Sequence, residues 1–87
     1  MATDTLTPTI AANVGEAMKL TGDTLSSLER ATGLTRSTLR TRIKGHSPWK
    51  SNEIALVAVH FGVTPEALST PGSIAKMGKL LIARRAA

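Results

Sequence analysis

Apolar positions recur at helical spacing along most of the chain, and nowhere do they alternate cleanly with period two. Ile10, Val14 and Met18 fall at i, i+4 and i+8, one stripe of an amphipathic helix. Thr7 or Pro8 can open that helix. Thr-Gly-Asp at 21–23 ends it, because Gly22 takes up positive φ readily. Asp23 or Thr24 can cap a second helix that carries Leu25 and Leu28 on one face and stops at Gly33. After Leu34, Thr35 can cap a third helix over Arg36–Lys44, closed by Gly45. Two helices joined by a short turn containing Gly have the outline of a helix-turn-helix.

The next stretch, GHSPWKSN, is punctuated as a loop. Ser51 can cap a fourth helix, in which Ile54, Val57, Ala58 and Phe61 fall at i, i+3, i+4 and i+7, and Gly62 is its stop. Thr64 caps a short fifth helix with Pro65 in its first position and Glu66 in its first turn, and Leu68 docks it. Thr-Pro-Gly at 70–72 marks a break, after which SIAKMGKLLIARRAA is again helical in pattern. The expected class is all-α. The expected division is a flexible N-terminus over 1–8, a domain over 9–69 and a helical extension over 70–87.

At 87 residues the chain can build one small core. Hydrophobic residues make up 41% of it, with one Trp, one Phe and no Tyr, so the core must be mostly aliphatic. The absence of Cys excludes disulfides and thiolate metal sites and fits a reducing cytoplasm. MATDTLTPT lacks the marks of a signal peptide. No apolar run approaches the ~20 residues a bilayer span needs, so no membrane role is expected. Nor is an enzyme. The two His have no acid partner at catalytic spacing and no metal-ligand pattern, and no Gly-rich phosphate loop is present. No cofactor and no metal are expected.

Charge sharpens the picture. The formal net charge is +5, which favours an anionic partner. Residues 31–50 hold Arg36, Arg40, Arg42, Lys44 and Lys50 and no Asp or Glu. On a helix turning about 100° per residue, Leu39 and Ile43 lie together as an apolar edge. Arg36, Arg40 and Lys44 form an adjacent row, and Ser37 and Thr41 continue the polar side. A solvated face is the bland alternative, but such faces normally mix signs in acid–base pairs. A row of like charges calls for a compensating partner. A helix fits the major groove of B-DNA, where Arg bonds guanine O6 and N7 in a fork, while Lys, Ser and Thr reach phosphates or base edges.

SSLERATGLTRSTLRTRIKG followed by NEIALVAVHFGVTPEAL resembles the lambda-repressor-like helix-turn-helix domains, the Cro and cI (XRE) type of phage and bacterial regulators. The resemblance rests on Leu28 ahead of Gly33 and Leu34, the cap Thr35, the anchor Leu39, the closing Gly45 and the segment Gly62–Leu68, and it covers roughly residues 9–69. TLRTRIKGHSPW with NEIALVA looks most like variants from actinobacterial phages and prophages. The resemblance implies a compact five-helix domain, with a C-terminal helix or tail added, in the cytoplasm of a bacterial host. It places Thr35, Arg36, Ser37, Arg40 and Thr41 at base edges or adjacent phosphates, and Thr24, Ser26, Lys44, His46, Ser47 and Lys50 at the DNA backbone. The partner would be double-stranded DNA with a pseudo-palindromic operator. Two departures stand out: Glu29 where the family usually has Ala, and Arg42 where it often has an apolar or aromatic residue. These two could pair across the helices.

Several residues have plainer readings. Trp49 reads as a lid on the core and His60 as structural. His46 is a minor phosphate ligand at neutral pH. Met18 and Met77 read as packing, and Glu53 suits a helix dipole. In the C-terminal segment Ile74, Met77 and Leu81 form a stripe that can fold onto the core, form a dimer interface or belong to a basic tail. Self-association is preferred, because two-fold dimers on paired half-sites suit such a reader. The leading function is a sequence-specific transcriptional regulator of the repressor or Cro kind. An excisionase-like recombination directionality factor and an antirepressor- or antitoxin-like protein-interaction module are the alternatives.

Overall fold

Each of the six helices in the described part of the chain starts or stops where a specific backbone requirement is met. The structure, a computed structural model, describes residues 6–78. In chain order α1 spans Leu6–Thr21, α2 Leu25–Thr32, α3 Arg36–Ile43, α4 Ser51–Phe61, α5 Pro65–Ser69 and α6 Ser73–Lys76. Among the described residues there is no strand. The all-α expectation therefore holds.

Local signals explain most of the boundaries. Thr24 caps α2, its hydroxyl accepting the Ser27 N–H while the Ser27 hydroxyl accepts the Thr24 N–H, a reciprocal capping box. Gly33 ends α2 in the left-handed region at φ 77°, its N–H donating to Glu29 O at 2.9 Å. An L-residue there would carry a penalty of roughly 1–2 kcal/mol. Thr35 and Thr64 cap α3 and α5 as expected. The fourth helix starts differently. Its N-cap position is Lys50, and Ser51 is already helical. The carboxylate of Glu53 accepts the Lys50 N–H at 2.9 Å, so the acid three residues on does the capping that Ser51 was expected to do. Residues 6–8, expected to be flexible, form the first turn of α1, and Thr7 is buried there.

The helices pack through their apolar stripes. Ile10, Val14 and Ala17 of α1 meet Leu28 of α2, Leu39 of α3, Val57, Ala58 and Phe61 of α4 and Leu68 of α5 in one core. Burying each of the larger side chains contributes about 1.5–3 kcal/mol. Trp49 closes the loop side of this core at 8% exposure, as its lid reading required. Helix α1 packs on α3, α5 and α6, and α2 packs on α3 and α4.

Ile74 of α6 is fully buried in the same core. This corrects the assignment of Ile74 to a dimer interface: its side chain is consumed within its own chain. Met77 is half-buried and packs against the same core. Leu81, the third residue of that stripe, lies outside the described residues.

A buried side chain absent from the sequence-based expectations holds α5 in place. Asn13 on α1 is 4% exposed. Its Nδ2 donates to Leu68 O at 2.7 Å and to Thr70 O at 2.9 Å. These belong to the last turn of α5 and the residue after it, where carbonyls lack helical partners. Ser73 adds a hydrogen bond to Ala67 O.

Candidate nucleic-acid interface

Helix α3 is anchored on one side and open on the other. Leu39 is fully buried and Ile43 packs partly against the core. Arg36, Ser37, Arg40 and Lys44 are exposed. The expected row of cations therefore lies on the solvent side of an anchored helix, with His46 and Lys50 exposed in the following loop and Thr41 and Ser47 half-buried.

The fourth cation of this region behaves differently. Arg42 Nε donates to Glu53 Oε1 at 2.9 Å, with side-chain exposures of 15% and 6%, and Arg42 Nη1 donates to Ser47 Oγ at 2.8 Å. The Glu29–Arg42 pairing is thus overturned. Arg42 falls on the flank of α3 that faces the start of α4, where the carboxylate of Glu53 is buried. Glu29 instead accepts the Arg36 N–H at 3.1 Å. A carboxylate at the end of α2 is well placed to satisfy an otherwise unpaired N–H in the first turn of α3. Burial pushes the Glu53 carboxyl up, but the Arg42 hydrogen bond, the Lys50 N–H and the charges of Arg42 and Lys50 together hold it below its ordinary range. Ser47 was expected at a phosphate, and its hydroxyl is engaged by Arg42.

The hydroxyls on the face of α3 are unequally available. Thr35 Oγ1 accepts the Thr38 N–H and donates to Thr38 Oγ1. Thr41 Oγ1 donates to Ser37 O at 2.9 Å. The side chains of Ser37, Arg40 and Lys44 have no hydrogen bond or ion pair among the described residues. Arg36 does: its Nη2 donates to Ser26 Oγ on α2. Thr24 is exposed but serves as a cap.

A second polar cluster ties the end of α1, the start of α2 and α4 together. Asp23 accepts from Thr21 Oγ1 at 2.6 Å and from Ser27 Oγ at 2.7 Å, and its Oδ2 lies 3.0 Å from His60 Nε2. Burial raises the Asp23 carboxyl, but the bonds from Thr21, Ser27 and His60 and the nearby imidazole outweigh it, leaving the group below its usual value. His60 thus has an acid partner, Asp23, that its position in the sequence did not suggest.

Between α2 and α4 lies an open apolar depression of about 450 Å³, lined by Ala31, Asn52, Ala55, Leu56, Val59 and His60. Val59 is 80% exposed. Nothing in the sequence reading singled out this face, because the repeat of Ile54, Val57, Ala58 and Phe61 accounts only for the buried side of α4.

Among the described residues, no group of three or more His, Asp or Glu is gathered to hold a metal. No helix there is long and apolar enough to cross a membrane. No protein-family model, curated protein or solved structure matches the chain.

Proposed function

We propose that this chain is a sequence-specific double-stranded DNA-binding regulator whose α3 enters the major groove, with α2 and α3 acting as a helix-turn-helix of the lambda-repressor-like kind. The observation that carries the reading is the division of cations on and after α3. Arg42, on the flank facing α4, is neutralised by Glu53, while Arg40 and Lys44 are exposed without an acid partner among the described residues. An anchored helix that presents uncompensated cations and a free Ser37 matches the needs of groove binding, where phosphates supply the missing charge. Lys50 and His46 extend the same basic surface. Repression or activation follows from where such a site lies relative to a promoter. A two-fold arrangement on a pseudo-palindrome would need an interface that does not use Ile74.

The test is selection from random duplex DNA followed by salt titration. An enriched motif, with log K falling linearly against log salt, is the expected result. Absence of any enriched sequence refutes the reading.

A second reading has its own support. The depression beside Leu56 and Val59 is an exposed apolar surface that a protein partner would cover. On that reading the chain is an interaction module, and Arg40→Ala leaves its activity intact.

A further inference from the structure

The open depression between α2 and α4 exists because α4 is apolar on two sides. Val57, Ala58 and Phe61 are buried in the core. Ala55, Leu56 and Val59 line the depression on the outer side, where Leu56 is 40% and Val59 80% exposed. A helix with apolar residues on both sides is suited to being covered on both. The cover has to be small and uncharged. At about 450 Å³ the depression takes a few side chains, whereas a stable interface between folded partners engages roughly 20–30 residues a side. Its lining holds no Lys, Arg, Asp or Glu. Outside the described residues the chain carries a segment of matching character: Leu80, Leu81 and Ile82, an uncharged apolar run between Lys79 and Arg84.

The fold brings the start of that run toward the depression. Gly78, the last described residue, lies against the end of α1: a Cβ placed on it would stand 3.6 Å from Leu20 Cδ2. Three residues after Leu20 the chain has turned, with the Asp23 N–H donating to Met18 O at 3.0 Å. The Asp23 carboxylate lies 3.0 Å from His60 Nε2, and His60 lines the depression. Gly78, Leu20, Asp23 and His60 thus mark a path from the last described residue to one end of it. Extended chain advances about 3.3 Å per residue, so residues 79–82 can cover about 13 Å. From Asn52 to His60 the depression follows α4 for about 12 Å. We propose that Leu80, Leu81 and Ile82 of the same chain seat in this depression and cover Leu56 and Val59. A protein partner at that face would then have to displace them. The inference stands apart from DNA binding by α3.

The experiment is methyl NMR on the full chain, run on labelled protein and on an equal mixture of labelled and unlabelled chains. Nuclear Overhauser contacts from the methyls of Leu56 and Val59 to those of Leu80, Leu81 or Ile82 are expected, and they should arise within one chain. Val59→Asp changes an exposed position, so circular dichroism should show the fold intact. It should abolish those contacts and move the methyl resonances of residues 80–82 to the values of an isolated peptide covering residues 79–87. Leu81→Asp, which alters the other side of the contact, should release Leu80 and Ile82 in the same way. Contacts seen only between a labelled and an unlabelled chain would seat the segment in a second copy and overturn the same-chain assignment. Absence of any contact, with the Leu56 and Val59 methyl resonances unchanged by Leu81→Asp, would leave the depression to an external partner and overturn it as well. Neither result bears on whether α3 reads DNA, which the binding selection decides separately.

Discussion

Arg42 of α3 and Glu53 of α4 form an ion pair, 2.9 Å from Nε to Oε1, in which both side chains are largely withdrawn from water. The same carboxylate caps α4 through the Lys50 N–H. One acid therefore holds both the start of α4 and the Arg42 flank of α3, while Leu39 anchors that helix in the core. Removing one partner of such a pair leaves the other charge buried, a loss of about 3 kcal/mol or more. Glu53→Ala should lower the melting temperature by roughly 10–20 °C, read by circular dichroism. The double variant Arg42→Met, Glu53→Leu should recover the part of that loss due to the stranded charge, because apolar replacements of similar size remove it, while the hydrogen bond to the Lys50 N–H stays lost. A single variant within 1 °C of wild type would falsify the anchoring role.

Acid should loosen the fold through two carboxylates. Asp23 and Glu53 both have folded-state values below their ordinary ones. A depressed carboxylate contributes stability above its unfolded pKa, about 4, and that stability is lost as pH falls through the folded value. The urea midpoint of the wild type should hold near neutrality and drop as pH descends below about 4.5. Asp23→Asn and Glu53→Gln should each start less stable at pH 7 and show a shallower decline. An equally steep decline in both variants would assign the acid response to other groups.

Asn13 caps the end of α5 from within the core. Asn13→Leu would remove the donors from the carbonyls of Leu68 and Thr70 and leave them buried or half-served. The expected loss is about 1–3 kcal/mol in chemical denaturation. Asn13→Asp should do at least as badly, since it substitutes acceptors for donors. Full stability in either variant would show that water serves these carbonyls equally well.

How far the sequence revealed this arrangement depends on the range of each interaction. Thr24, Thr35 and Thr64, with Gly33 and Gly62, act within a few residues of themselves, and each boundary was readable from its own neighbourhood. The exposed row of Arg36, Arg40 and Lys44 was readable for the same reason, since helical periodicity places it beside the apolar edge of Leu39 and Ile43. The partners of Arg42, Asp23 and Asn13 were not, because they lie 11, 37 and more than 50 residues away, and no local pattern encodes such pairs. The start of α4 slipped by one residue because Ser51 is the better cap by type, while Glu53 reaches back to Lys50. Ile74 shows the sharpest limit. Periodicity identifies an apolar stripe but does not say whether the surface that covers it belongs to the same chain.

Ile74 is fully buried among residues of its own chain, so Ile74→Ala opens a cavity inside the monomer and should cost about 2–5 kcal/mol. The loss should be the same at low and high protein concentration, because an intramolecular contact has no mass-action dependence. A stability deficit that shrinks as the protein is concentrated, together with a shift in sedimentation from dimer to monomer, would return Ile74 to an interface between copies. A concentration-independent deficit means that α6 belongs to the folded unit, and that a truncation at Thr70 should unfold it.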